Sequence, residues 1–300
     1  MSRIEIIEVA PRDGLQNEKQ LLPTAAKLEL VERAYEAGAR RIEVTSFVHP
    51  ERVPQLADAE AVVAGLTPHD DVVYAALVLN ERGYDRALAA GIREVNTVVI
   101  TTETFSRRNQ GMSVAESIEV VSRIHARAAA DGIPVTVTIS AAFGCPFEGE
   151  VPLDRLTRVA TQVVAIDADE IVLADTIGVA VPSDVEERIA VVRDLEPRSE
   201  LRAHFHNTRN TAVANVVAAV RSGVTAIDAS LAGIGGCPFA PAATGNVATE
   251  DLVYALHRMG YETGYDLERS IDSARWIADE LGIAPPGMVA RAGAFPPTPT

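Results

Sequence analysis

The sequence predicts a (β/α)8 TIM barrel with extra C-terminal helices, and three observations carry that reading. Apolar, β-branched runs alternate with longer amphipathic segments from end to end of the 300 residues. Eight such strand–helix pairs follow one another without an intervening linker, the order expected of a parallel sheet closed by its helices. No G-x-G-x-x-G follows the first strand, so an open dinucleotide-binding sheet fits less well than closure.

Strand 1 is Ile4 to Val9, and a helix spans Pro23 to Ala37, with Gly38 placed to end it in a left-handed cap. Strand 2, Arg41 to Val44, leads through a loop to a helix over Leu56 to Gly65. Strand 3 covers Val72 to Val78, with a helix over Arg82 to Ala90. Strand 4 covers Val95 to Ile100, and a long helix runs from Ser113, a natural N-cap, to Asp131. Strand 5, Pro134 to Ala141, precedes a helix over Leu153 to Ala165. Strand 6, Glu170 to Leu173, precedes one over Ser183 to Leu195. Strand 7 is Leu201 to His206, with a helix over Ala212 to Ser222. Strand 8, Ala226 to Ala229, opens into a glycine-rich loop before a helix over Ala248 to Met259. One or two further helices are expected within Leu267 to Leu281. Residues 1–282 read as a single catalytic domain, and 283–300 as a Pro-rich, loosely ordered tail.

Composition narrows the function. With 47% hydrophobic and 23% charged residues the chain is an ordinary globular protein. A net charge of −15 without a basic run argues against a nucleic-acid partner. Two cysteines far apart give no disulfide framework, which points to a reducing compartment. The opening MSRIEIIEVAPRDG has no secretory apolar region, and no run reaches membrane-spanning length. A cytoplasmic protein without membrane contact is expected.

Barrels of this kind place their chemistry at the C-terminal ends of the strands. That rim receives Arg12 and Asp13 after strand 1, Glu43 near the end of strand 2, and Asp175 and Thr176 after strand 6. His204 and His206 close strand 7, and the loop after strand 8 brings Cys237, Asn246 and Glu250. Each has a bland alternative. Asp13 could make a turn, Asp175 could cap a helix, Cys237 could be an inert thiol and Glu250 could merely support a helix start. Their shared rim is what favours function. His204 and His206, two apart on a strand, face one side with backbones about 6.8 Å apart. Asp13, His204, His206 and Asn246 offer a carboxylate, two imidazoles and an amide oxygen. Ligation without thiolate suits Mg²⁺ or Mn²⁺ better than structural zinc. Gly233, Gly235, Gly236 and Gly245 would let the loop carrying Cys237 bend sharply.

The stretches EVAPRDGLQNEK, IEVTSFVHPERVPQLAD, DTIGV at Asp175 to Val179 and GIGGCPFAPAATGNVATEDLVY resemble the 3-hydroxy-3-methylglutaryl-CoA (HMG-CoA) lyase family, from Ile4 to about Leu281. The resemblance implies a divalent-metal-dependent carbon–carbon lyase acting on a 3-hydroxyacyl-CoA and releasing acetyl-CoA, in leucine degradation. It places the metal ligands on Asp13, His204, His206 and Asn246, the arginine on Arg12, the loop cysteine on Cys237, and supporting carboxylates on Glu43, Asp175 and Glu250. Cys145 is expected to be structural. In the expected retro-aldol step, His204 working with Asp175 removes the C3 hydroxyl proton, with the cation acidifying that hydroxyl. Arg12 then steadies the enolate oxygen and Cys237 protonates C2. CoA phosphates are expected near Arg107 and Arg108, within Thr102 to Asn109. A homo-oligomer, dimer or tetramer, is also expected.

One segment departs from the family. Where D-T-Y-G-Q-A is usual after the second histidine, this chain has Asn207-Thr208-Arg209-Asn210-Thr211-Ala212. Arg209 for Tyr and Asn210 for Gly change charge and backbone freedom, which makes Arg209 a candidate substrate contact. An altered acyl group, as in citramalyl-CoA, is the corresponding alternative. A synthase of the same barrel group is disfavoured by Cys237 and the short chain.

Overall fold

The description covers residues 2–195, 200–236 and 245–296 of a computed structural model. Eight parallel strands close a barrel in sequential order: β1 (Glu5–Glu8), β2 (Arg41–Ser46), β3 (Val73–Leu77), β4 (Glu94–Ile100), β5 (Val135–Ser140), β6 (Glu170–Asp175), β7 (Glu200–Phe205) and β8 (Ala226–Ala229). Closure comes from β1 pairing with β8, with Glu5 opposite Ala226 and Glu8 opposite Ala229.

The helices are α1 (Thr24–Ala37), α2 (Ala59–Gly65), α3 (Glu81–Ala90), α4 (Glu103–Gln110), α5 (Val114–Asp131), α6 (Leu153–Val164), α7 (Pro182–Leu195), α8 (Ala212–Arg221), α9 (Thr249–Arg258), α10 (Leu267–Leu281) and α11 (Met288–Ala292). Among the described residues, no helix is long and apolar enough to cross a membrane. The expected caps are present. Gly38 ends α1 at φ 118°. Ser113 accepts from the Glu116 amide while the Glu116 carboxylate accepts from the Ser113 amide, a full capping box.

Alternation along each strand sorts side chains to two sides. Outward residues such as Ile42, Val99, Val137, Leu173, Ala203 and Phe205 join Leu30, Ile124, Val163 and Val216 of the helices in one large apolar core. The inward rows are far more polar than the branched apolar filling usual in such barrels. Arg41, Glu94, Thr136, Glu170, Arg202 and Asp228 contact one another across the interior. The apolar stabilisation therefore lies between sheet and helices, and the interior is left to charge.

Three local departures from expectation have physical reasons. Residues 103–110 form α4, a polar helix whose apolar anchor is the buried Phe105 rather than a repeating stripe. The segment after β5 makes a small hairpin pairing Gly144–Cys145 with Gly149–Glu150. Within the tail expected to be loosely ordered, α11 forms because the amides of Met288 and Val289 donate to the Asp251 carboxylate of α9.

Candidate active site

The site lies at the C-terminal ends of the strands, in a cavity of about 430 Å³. After β1 the chain makes one wide, π-type helical turn, Ala10–Gly14, which swings Arg12 and Asp13 over the barrel mouth. In β2 the register slips between Glu43 and Thr45, a bulge of the kind that re-aims side chains beside active sites. Glu43 is buried and grips the Arg12 guanidinium with one oxygen, at 2.5 Å to Nε and 2.5 Å to Nη2. Its other oxygen accepts from Asn96 Nδ2 at 2.7 Å. Arg12 Nη1 donates to Asp13 Oδ1 at 2.6 Å. Arg12 is thereby fixed between two carboxylates while its remaining N–H donors stay on the cavity wall.

Asp13 Oδ2 is the point on which the site converges. It lies 3.9 Å from His204 Nε2 and 3.8 Å from His206 Nε2, and accepts from Asn246 Nδ2 at 2.9 Å. The imidazole distances are too long for hydrogen bonds, yet typical of two ligands about 2.0–2.4 Å from a shared cation. His204 Nδ1 is 3.1 Å from Asp228 Oδ2, so the proton placed there leaves Nε2 with its lone pair toward Asp13.

The charges follow from these contacts. Burial alone would raise the Asp13 carboxyl, but Arg12, His204 and His206 hold it well below the usual carboxylate range. Burial likewise opposes a positive His204, yet the hydrogen bond to Asp228 and the nearby Asp13 raise it above an ordinary imidazole. His206 lacks such a partner, and burial followed by repulsion from His204 pushes it down to about 4. One histidine is held basic and its neighbour neutral.

Asn246 arrives on the return leg of the glycine-rich loop. His206 and Asn246 form an isolated antiparallel bridge, and the Val247 amide donates to Phe205 O at 3.0 Å. Gly245 sits at φ 122°, and a Cβ there would stand 2.0 Å from Gly233 O, so only glycine admits the two legs side by side. Cys237 and residues 238–244 lie outside the described residues.

Two observations test whether a cation fits. Asn246 Oδ1 is buried without a hydrogen-bond partner, leaving an amide oxygen unused. The connected ionic set contains Arg12, Arg41 and Arg202 against Asp13, Glu43, Glu94, Glu170 and Asp228. With Glu5, 3.8 Å from Arg41, and both imidazoles neutral, its formal charge is −3, an excess of negative charge that a divalent cation would reduce. Asp13, His204 and His206 also form a compact group of metal-type donors.

The remaining expected residues divide. Thr176 lines the cavity, where its hydroxyl meets Ser140 Oγ at 2.9 Å. Arg107 and Arg108 line its outer wall from α4, the latter 4.4 Å above the Phe147 ring. Asp175, expected to assist His204, instead accepts from the amides of Val179 and Ala180, each at 3.0 Å. It shapes the turn after β6, and the carboxylate on His204 is Asp228. Arg209 does not line the cavity; its Nη1 donates to the carbonyls of Ile177 and Gly178 at 3.2 and 2.8 Å. Glu250 is buried at the start of α9 and accepts from the Ala232 amide at 3.1 Å. Loss of hydration pushes it up to about 8. With Glu8, which accepts from the amides of Ala10 and Leu231 and the Thr249 hydroxyl, it holds the Leu231–Gly233 turn from below. Both carboxyls are supports under the loop rather than groups in the cavity. Cys145 is buried, its thiol accepting from Thr102.

Sequence reasoning passes over Asp228, Arg202 and Asn96. The available signal was an ionisable or amide residue on an inward position of an apolar strand, one or two steps below the rim.

A closed parallel barrel with clustered carboxylate, imidazole and amide donors at its mouth, beside a braced arginine, defines a candidate metal-dependent barrel enzyme. Comparison with known proteins makes the assignment specific. The chain belongs to the HMGL-like family, whose model matches residues 3–277. It is 43% identical to the (R)-citramalyl-CoA lyase of Chloroflexus aurantiacus, over 98% of this chain and 96% of that protein. It is 41% identical to the mitochondrial hydroxymethylglutaryl-CoA lyase of Gallus gallus, over 93% and 94%. An HMG-CoA lyase structure from Acinetobacter baumannii, in complex with coenzyme A and 3-methylmalate, superposes with a TM-score of 0.94. The two chains are 36% identical, and the match covers 99% of this chain and 97% of that one.

Proposed function

We propose that this protein is a divalent-metal-dependent carbon–carbon lyase that cleaves HMG-CoA to acetyl-CoA and acetoacetate. The convergence of His204, His206 and Asn246 on Asp13, with Arg12 held alongside by Glu43, carries the reading. Asp13, His204, His206 and Asn246 would hold Mg²⁺ or Mn²⁺, which supplies Lewis acidity to the substrate's C3 hydroxyl. His204, its Nδ1–H held by Asp228, would take the hydroxyl proton on Nε2, which can serve the proton or the cation but not both at once. As the C2–C3 bond breaks, its electron pair passes to C2 and the thioester carbonyl. Arg12 donates hydrogen bonds to the enolate oxygen that develops. Cys237 delivers the proton that completes the acetyl methyl group. Arg107 and Arg108, which line the cavity, would meet the CoA phosphates.

A second reading, citramalyl-CoA cleaved to acetyl-CoA and pyruvate, is favoured by the 43% identity to a citramalyl-CoA lyase. Purified protein with Mg²⁺ or Mn²⁺ should release acetyl-CoA from HMG-CoA together with acetoacetate. Faster turnover of citramalyl-CoA with pyruvate release would transfer the assignment to the second reading. EDTA should abolish turnover and added metal restore it, whereas Asp13→Ala should stay inactive at any metal concentration. Activity that survives EDTA would refute the metal reading.

A further inference from the structure

Arg202 is the most buried arginine among the described residues, 2% exposed, and it lies one inward step below His204 on β7. Its Nε lies 3.2 Å from Asp228 Oδ1 and its Nη1 3.2 Å from Glu170 Oε2, ion pairs that lack hydrogen-bond alignment. Glu170 is shared with Arg41, whose Nη2 lies 2.8 Å from Oε2 and 2.7 Å from Glu94 Oε1. Asp228 in turn divides its two oxygens, Oδ1 to Arg202 and Oδ2 to His204 Nδ1. An unbroken line of alternating charge thus climbs the barrel interior from Arg41 to His204.

Filling this interior with apolar side chains would cost less than burying these ions, so stability alone does not account for it. Its upper end gives the reason. A carboxylate held by His204 alone could swing about its own bond and carry the imidazole with it. The Arg202 charge beside its other oxygen favours the orientation that keeps Oδ2 on His204 Nδ1. We propose that Arg202 is a positioning residue that acts through Asp228 to aim His204 Nε2 at the Asp13 cluster. This rests on the metal reading of that cluster.

The test is Mn²⁺ affinity of the full-length protein without substrate, measured by electron paramagnetic resonance of free Mn²⁺, beside thermal melting. Supports behind metal-bound histidines are typically worth 10- to 100-fold in affinity. Asp228→Asn should weaken Mn²⁺ binding by about that factor, and Arg202→Met by about 10-fold. The double variant should bind within about twofold of Asp228→Asn, because both changes break one line of contacts. Folded Arg202→Met with wild-type affinity, or losses that multiply in the double variant, would overturn the proposal. If Arg202→Met does not fold, Arg202→Lys keeps the charge but cannot span both carboxylates, and should still lose at least about threefold. Wild-type affinity in that variant would equally overturn it. Asp13→Ala reports that the signal comes from this site. A wild-type protein that binds no Mn²⁺ would sink the metal reading itself, a result distinct from any variant's.

Discussion

Replacing Glu43 by glutamine isolates the charge that braces Arg12. The side chain keeps its shape, and the structure offers the amide a ready arrangement. Asn96 Oδ1 is buried without a partner, so Asn96 can turn over and accept from the new amide while the glutamine oxygen still faces Arg12. What is lost is the ionic character of two 2.5 Å contacts. Hydrogen bonds to charged groups contribute about 1.5–3 kcal/mol, and Arg12 itself stays charged, so the change costs roughly 1–2 kcal/mol of stability, a melting temperature lower by about 2–5 °C. Catalysis loses separately, because Arg12 is released toward Asp13 and no longer faces the developing enolate. Steady-state kinetics with saturating metal should show kcat down about 10- to 100-fold with KM changed little, the signature of an interaction made in the transition state. A variant that melts lower but keeps kcat within threefold of wild type would show that Glu43 braces the fold and not the reaction.

Gly245→Ala must displace either Gly233 or Asn246, since its Cβ would sit 2.0 Å from a backbone oxygen at a φ that alanine avoids. Mn²⁺ affinity should drop more than about tenfold, as for loss of a metal support, and melting should come earlier; unchanged values in both would refute the account of that turn. Glu250→Gln tests the buried carboxyl under the loop. Burial pushes the folded carboxyl up to about 8 from its ordinary value of 4.5. Between these the native state holds the extra proton, so rising pH lowers wild-type stability until it levels off above 8. The glutamine variant lacks that loss and should be more stable by ~2–4 kcal/mol at pH 8, with little difference at pH 4.5. Parallel melting curves across that range would show that Glu250 does not titrate there.

The barrel was legible because its outward strand positions are apolar and its turns carry recognisable caps, such as Gly38 and Ser113. The rim was legible for the same reason: strand ends can be placed from periodicity, and His204, His206, Asp13 and Asn246 do meet there. Side-chain direction was not. Asp175 stands at a strand end but bends back onto its own turn, and Arg209 reaches down to two carbonyls instead of inward. Asp228 and Arg202 were hidden by depth, one layer beneath the residues that a search of strand ends inspects. The Asn210 departure also has a simple account. Its φ of 58° is the left-handed conformation that the family's glycine adopts easily, and asparagine is the side chain that best tolerates it. The backbone path is kept although the residue changes.

The locking of residues 245–249 onto the strand ends carries an evolutionary consequence. Asn207 N bonds Gly245 O, Val247 N bonds Phe205 O, and Ser230 exchanges hydrogen bonds with Val247 and Thr249. On the outgoing leg, Gly236 O accepts from Asn17 Nδ2. The Asn246 amide is therefore anchored to the strand ends by backbone contacts. Mutations that spare those contacts leave the amide in place, whatever side chains they exchange. The architecture separates an inherited backbone frame, which must stay constant, from side chains that selection can exchange.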